Sequence, residues 1–198
     1  TALLTAACDE ARGAGMATLT ARAGELEAGL PWGVVRGLFE PELAGASRAE
    51  QRDLLSDAAG LARIALRSDN GHMAPRRADA LGAALHGLYW LTANLAARRP
   101  LLLALDDLHW CDLPSLRWLA YLLPRMEGLD LLIVVGLRPE EPSEDPRLIG
   151  QIVSDPLATV IRPASLTAAA TALLLRETLS PEADDAFCAA CWEETGGN

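Results

Sequence analysis

Two adjacent carboxylates, Asp106 and Asp107, directly follow an apolar run of five residues, 101–105. Adjacent like charges are unfavourable unless a metal ion, a lysine or an arginine lies beside them. A short, continuous apolar run is typical of a strand buried on both faces of a parallel sheet, and ligands bind beyond the carboxyl ends of such strands. A strand that ends in an aspartate and a second acidic residue is the Walker B arrangement. The pattern therefore predicts that Asp106 faces a nucleotide-bound Mg²⁺ and that Asp107 orients an attacking water.

Two further residues, Thr1 and Arg138, favour this interpretation, although an acidic pair at a strand end can also cap the following helix or lie in solvent. The P-loop pattern GxxxxGK[ST] ends at a Ser or Thr that opens a helix and binds Mg²⁺, and Thr1 begins a predicted helix. Arg138 follows the next apolar run, residues 131–135, so it could reach a terminal phosphate from the neighbouring strand. A terminal threonine alone carries little information, and Arg138 could instead pair with Glu140 or Glu141 in a solvated loop.

His109 offers a different chemistry, because a histidine close to carboxylates can act as a base or as a metal ligand. A metallohydrolase built on Asp106, Asp107, His109 and Asp112 would need more ligands than the sequence offers. We expect His109 and the adjacent Trp110 to pack the loop against the next helix. The other two histidines, His72 and His86, have no partner that the sequence identifies.

Composition limits the classes of function. The chain has 198 residues, of which 51% are hydrophobic, which is enough for a substantial core. Its net charge of −10 disfavours direct binding to nucleic acid or to anionic lipid. No apolar stretch approaches the roughly 20 residues that span a bilayer. Four cysteines lack the spacing of a disulfide framework, and the CxxC of Cys188 and Cys191 has no second ligand pair for zinc, so we expect reduced thiols in a cytoplasmic protein.

The elements that must position these residues follow from periodicity and capping patterns. Strands are predicted over residues 16–23, 101–105 and 131–135, with a further extended piece over 158–163. The first predicted helix lies in residues 1–15, begins upstream and is stopped by the glycine-rich end of that stretch. The other predicted helical segments are a short helical or irregular piece bracketed by Pro31 and Pro41, 47–66 with a capping box of Ser47 and Glu50, a long helix that Pro100 stops, one capped by Asp112, one around 146–153, and two opened by Thr167 and Pro181. Residues 68–77 have the composition of a loop. This alternation predicts an α/β fold with a doubly wound parallel sheet over residues 1–164 and a C-terminal helical appendage over 165–198.

The sequence also resembles a known family. The segment "RPLLLALDDLHWCDLPSLRWLAYLLPRMEGLDLLIVVGLRPEE", with "ELEAGLPWGVVRGLFEP" upstream and "ACWEETGGN" at the end, is similar to the ATPase domain of the large ATP-binding LuxR-type transcriptional regulators. These are relatives of MalT in the STAND branch of the AAA+-like P-loop ATPases. The resemblance covers nearly the whole chain, and its most specific part is "DDLHWCDLPSLRWL".

The resemblance implies roles for four residues and a set of ligands. Asp106 would be the magnesium aspartate, Asp107 the acidic residue tied to hydrolysis, Arg138 the sensor arginine, and Thr1 the last residue of the Walker A motif. The cofactors would be ATP or ADP with Mg²⁺, in a P-loop NTPase of the ASCE type. The implied partners are the nucleotide, the chain's own P-loop strand, C-terminal regulatory and DNA-binding modules, and further copies of the protein on activation. No direct contact with nucleic acid or membrane is expected.

The sequence departs from the family pattern before Thr1. It does not include the glycine-rich loop, the lysine of that loop or the strand that leads into it. Their loss should leave an apolar slot and unpaired strand edges. The 198-residue chain by itself is therefore expected to bind ATP weakly and to be inactive. The alternative function is a regulatory scaffold that works through protein contacts without nucleotide, and an intact or degraded GxxxxGK before Thr1 would separate the two.

Overall fold

The computed structural model describes residues 1–67 and 78–198. The predicted loop over 68–77, with His72, lies outside the described residues. The chain divides into two compact units, Thr1–Ala158 and Thr159–Asn198. The boundary expected near Ser165 falls inside the second of these units.

The described residues form a mixed α/β fold with a small sheet and many helices. The strands are β1 (Ala17–Arg22), β2 (Leu101–Asp106) and β3 (Leu131–Val135). The α-helices are α1 (Ala2–Gly13), α2 (Gly33–Gly45), α3 (Arg48–Leu54), α4 (Arg63–Leu66), α5 (Ala78–Arg98), α6 (Leu113–Leu122), α7 (Pro146–Val153), α8 (Ala168–Thr178) and α9 (Asp185–Thr195).

The sheet is open and parallel, with the strand order β1–β2–β3. Every residue of the central strand β2 is buried. Leu101, Leu103 and Leu105 belong to the larger apolar core, which includes residues of α2, α5 and α6, whereas Leu102 and Ala104 pack with α1. Helices therefore cover both faces of β2, which is why its sequence is apolar without alternation. The expectation of an α/β fold with a parallel sheet is confirmed.

The edge strand β3 differs from its prediction. Residues 131–135 were expected to be buried on both faces, but none of them is fully buried, and the side chain of Leu132 is 50% exposed. Within the described residues β3 pairs only with β2, so one row of its backbone groups has no strand partner. An apolar edge of this kind is a ready template for another strand.

The capping box of Ser47 and Glu50 is confirmed: the backbone N–H of each residue donates to the side chain of the other. The single helix expected over 47–66 is wrong. It is broken into α3, a 3₁₀ helix over Asp57–Ala62 and α4. The interruption comes after Leu54, where Ser56 has an extended backbone, φ −73° and ψ 158°, and Asp57 follows with a positive φ of 47°.

Two prolines were expected to limit helices, Pro100 and Pro41, and only Pro100 does so. Pro100 follows the end of α5 at Arg98, as expected. Pro41 was expected to bracket a short piece, but α2 passes through it and continues to Gly45. Burial of Val35, Leu38 and Phe39 in the core outweighs the missing N–H of Pro41.

The second unit contains α8 and α9. Thr167 caps α8 as predicted, and α9 ends at Thr195, followed by Gly196 with φ of 61° as its C-terminal cap. The start predicted at Pro181 is wrong, because α9 is capped by Asp184, whose carboxylate accepts the N–H of Phe187 at 2.7 Å. Residues 158–163 form no strand and are exposed. Among the described residues, no helix combines the length and apolar character needed to cross a membrane.

Candidate functional site

Asp106 and Asp107 lie at the carboxyl end of the central strand, as predicted. Asp106 is the last residue of β2, and Asp107 begins a 3₁₀ turn over Leu108–Trp110. Both residues are buried, each only 8% exposed. Asp107 adopts a left-handed backbone, φ 54° and ψ 45°, which is uncommon for a residue with a side chain and turns its carboxylate toward different neighbours from those of Asp106.

Thr1 contacts Asp106, which lies 105 positions later in the sequence. Its Oγ1 donates a 2.6 Å hydrogen bond to Oδ2 of Asp106. The backbone N–H of Asp107 also donates to Oδ1 of Asp106, at 3.1 Å. The structure therefore brings Thr1, Asp106 and Asp107 together, and Arg138, the fourth residue that the sequence selected, approaches Asp107.

Electrostatics keep Asp106 ionised. Burial acts to raise its pKa, but the hydrogen bond from the Thr1 hydroxyl, the N–H of Asp107 and the charge of Arg22 act to lower it, and the pKa lies below its usual value. A carboxylate that stays charged while buried is suited to a cation.

Gly136, just after β3, leaves room for the Asp106 carboxylate. A Cβ at this position would lie 2.6 Å from Oδ1 of Asp106, which is too close for any side chain to be tolerated without movement of the carboxylate. The backbone of Gly136 is fixed by two hydrogen bonds of 2.8 Å, one to the carbonyl of Leu105 and one from the N–H of Leu108. The observed position of the Asp106 carboxylate therefore requires a residue without a side chain at position 136.

Arg22 is the site residue that sequence reasoning missed. Its Nε and Nη2 lie 2.8 and 2.7 Å from Oδ2 of Asp107. The hydrogen bond to Asp107 raises the pKa of Arg22 further above its usual value. Arg22 is the last residue of β1 and pairs in register with Asp106. Knowledge of the strand order would therefore have identified Arg22 as a neighbour of the two carboxylates. The positive charge required beside the two carboxylates is, in this structure, an arginine.

Arg138 and His109 approach the other oxygen of Asp107. Nε of Arg138 lies 3.8 Å and Nε2 of His109 lies 4.0 Å from Oδ1. Neither Glu140 nor Glu141 forms an ion pair with Arg138 among the described residues. His109 is buried, 1% exposed, and its ring centroid lies 5.2 Å from that of Trp110.

Asp112 serves a different purpose from the acidic pair. Its carboxylate accepts the N–H groups of Trp32 at 2.8 Å, Val34 at 3.2 Å and Ser115 at 3.0 Å. It therefore caps α6, as predicted, and holds the start of α2. In the part of the chain that the structure describes, no group of three or more His, Cys, Asp or Glu side chains is arranged to hold a metal ion.

The arrangement suits a hard cation together with an anion. The Thr1 hydroxyl and the Asp106 carboxylate are the oxygen donors that Mg²⁺ prefers, and Mg²⁺ commonly takes its remaining ligands from water and substrate phosphates. A cleft of about 350 Å³ opens beside them, lined in part by Thr5, Thr20 and Arg22. The residues present therefore fit a magnesium–phosphate ligand.

Comparisons with protein-family models, with curated proteins and with solved structures found no match to this chain.

Proposed function

We propose that this chain is the ATP-binding and hydrolysing switch module of a signal-dependent transcriptional regulator in the cytoplasm, with the fold of a P-loop NTPase of the ASCE type. The observation that carries the proposal is the 2.6 Å hydrogen bond from Thr1 to Asp106. It joins a hydroxyl at a helix start to the carboxylate that ends a buried central strand, which is the combination that a magnesium–nucleotide site requires.

Each site residue has a chemical role in this proposal. Thr1 and Asp106 would hold Mg²⁺, which when bound with ATP supplies positive charge beside the phosphates. Asp107 orients the attacking water and accepts its proton. Arg138, whose side chain is 63% exposed, extends its positive charge toward the terminal phosphate, where negative charge develops.

The open edge of β3 supports a further strand in the sheet. Its apolar residues are only partly buried and it has no strand partner on one side within the described residues. We propose that the strand carrying the phosphate-binding loop pairs here, next to Gly136 and Arg138. Backbone N–H groups of that loop and its lysine would then face the same edge as Asp106.

The switch itself depends on a difference between the ATP and ADP states. Ligands shift a two-state equilibrium only through differential contacts, and the terminal phosphate supplies such a contact at Arg138. Regulatory and DNA-binding modules elsewhere in the protein would read the change, with self-association on activation. The net charge of −10 is consistent with leaving DNA contact to those modules.

The test is Asp106→Ala in the full-length protein. We expect loss of Mg²⁺-dependent ATP hydrolysis, because the buried carboxylate that faces the cation is removed. Asp53→Ala is the matched control, since Asp53 is an exposed acid on α3. Unchanged turnover in Asp106→Ala would refute the proposal.

The second candidate is a scaffold that needs no nucleotide. It is favoured by the Arg22–Asp107 ion pair, which neutralises one of the two carboxylates without a metal ion. Titration calorimetry of the full-length protein with Mg²⁺ and ATP separates the candidates: heat of binding supports the switch, and no binding, together with a degraded sequence before Thr1, supports the scaffold.

A further inference from the structure

His109 carries a buried polar atom that packing does not explain. Its Nε2 is inaccessible to solvent and has no hydrogen-bond partner within the described residues. Buried donors and acceptors are nearly always paired, so an unpaired one beside a candidate site requires an explanation.

The proton on the His109 ring can be placed from its surroundings. The backbone N–H of Arg138 points to Nδ1 of His109 at 3.5 Å, so Nδ1 acts as an acceptor. A neutral imidazole has one donor and one acceptor, and its proton is therefore on Nε2. The unpaired group is a buried N–H donor.

That donor faces Asp107. Nε2 lies 4.0 Å from Oδ1, about 1 Å beyond hydrogen-bond length. Asp107 is held at its other oxygen by Arg22, at 2.7 and 2.8 Å. Oδ1 is also 3.8 Å from Nε of Arg138, so a small displacement of the carboxylate would bring it within reach of both groups.

We propose that His109 is a positioning residue that ties Asp107 to Arg138. Its Nε2–H donates to Oδ1 of Asp107 when the site engages its ligand, while Nδ1 holds the backbone of Arg138. One buried ring then fixes the spacing between the carboxylate that orients the water and the arginine that meets the phosphate. The inference rests on the proposed function, because it assigns His109 a part in hydrolysis.

The first measurement is independent of activity. In full-length protein labelled with ¹⁵N-histidine, we expect nitrogen chemical shifts that place the His109 proton on Nε2. His86 gives a reference signal, since it is exposed on α5 and its Nε2 accepts from Trp90 Nε1 at 3.1 Å. A His109 proton on Nδ1 would overturn the inference, because the contact with Arg138 would then be lost.

The second measurement is the split between kcat and KM for ATP. We expect His109→Ala to lower kcat roughly 10- to 100-fold with KM changed less than about threefold, as for other residues that orient a reacting group. His109→Gln should restore part of the loss, because its amide nitrogen can replace Nε2–H toward Asp107. His86→Gln is the matched control and should hydrolyse ATP like the wild type.

Thermal unfolding of each variant distinguishes a folding defect from a loss of catalysis. If His109→Ala does not fold, His109→Gln still tests the inference.

Asp107→Asn separates the inference from the proposed function. If Asp107→Asn lowers turnover while both His109 variants keep kcat within about twofold, the inference is wrong and the proposed function stands. If Asp107→Asn leaves turnover unchanged, the proposed hydrolysis by Asp107 fails and the inference fails with it.

Discussion

Asp112 accepts the backbone N–H of Trp32 from 80 positions away, at 2.8 Å. The same carboxylate caps its own helix through Ser115, so one buried side chain fixes the starts of both α2 and α6. Trp32 has a left-handed backbone, with φ of 66°, which this hydrogen bond helps to hold. The packing of α2 against the sheet therefore depends on a residue that follows the acidic pair.

We expect Asp112→Ala to lower the free energy of unfolding by about 3 kcal/mol, because three backbone N–H groups lose a charged acceptor in a buried place. Asp145→Ala is the matched control: Asp145 caps α7 through a single N–H, that of Leu148, so its loss should cost about 1 kcal/mol. Urea denaturation of the 198-residue chain measures both. Equal losses would contradict the double role of Asp112.

Gly87 permits the close approach of α5 to the 3₁₀ helix at Asp57–Ala62. A Cβ at Gly87 would collide with the backbone N of Ala62 and lie 2.5 Å from the carbonyl carbon of Leu61. We expect Gly87→Ala to destabilise the chain by about 2 kcal/mol or more, since backbone atoms must move. Gly82→Ala, on the same helix with nothing within 4 Å, should instead stabilise it by up to about 1 kcal/mol. Thermal unfolding of the two variants should therefore shift in opposite directions.

The parts of the fold that the sequence predicts are those encoded locally. The apolar run of β2 and the two carboxylates after it are adjacent in sequence, and the caps at Ser47, Asp112 and Thr167 each involve residues within one helical turn. Such signals need no knowledge of the remaining chain, and all of them are present in the structure.

The parts that were missed depend on neighbours in space. The exposure of Leu132 follows from the position of β3 at the edge of the sheet, and an apolar run does not reveal strand order. Arg22 likewise lies beside Asp106 and Asp107 only because β1 pairs with β2 in the observed register. The extended backbone of Ser56 and the positive φ of Asp57, where a predicted helix is interrupted, are also not visible in periodicity.

A substitution at Gly136 tests whether ligand binding needs the space beside the Asp106 carboxylate. In the full-length protein we expect Gly136→Ala to weaken binding of Mg²⁺ with ATP by roughly tenfold or more, because the new methyl group displaces the carboxylate oxygen that lies 2.6 Å from its position. Gly150→Ala on α7, where a Cβ meets nothing within 4 Å, is the control and should bind normally. A fluorescent ATP analogue reports both affinities, and equal affinities would show that Asp106 does not need this space.

The lowered pKa of Asp106 predicts how stability changes with pH. A carboxyl group whose pKa is lower in the folded than in the unfolded state stabilises the fold above its unfolded pKa, and this contribution is lost as the pH falls through the folded pKa. The unfolded pKa is about 4, so we expect the wild-type chain to lose stability on acidification below that range. Asp106→Asn cannot titrate, and it should lose less over the same interval. Urea denaturation between neutral pH and about pH 3 measures the difference. Parallel pH profiles for the two proteins would mean that Thr1 does not hold the Asp106 carboxylate in its ionised form, since that hydrogen bond is the largest of the effects that lower its pKa.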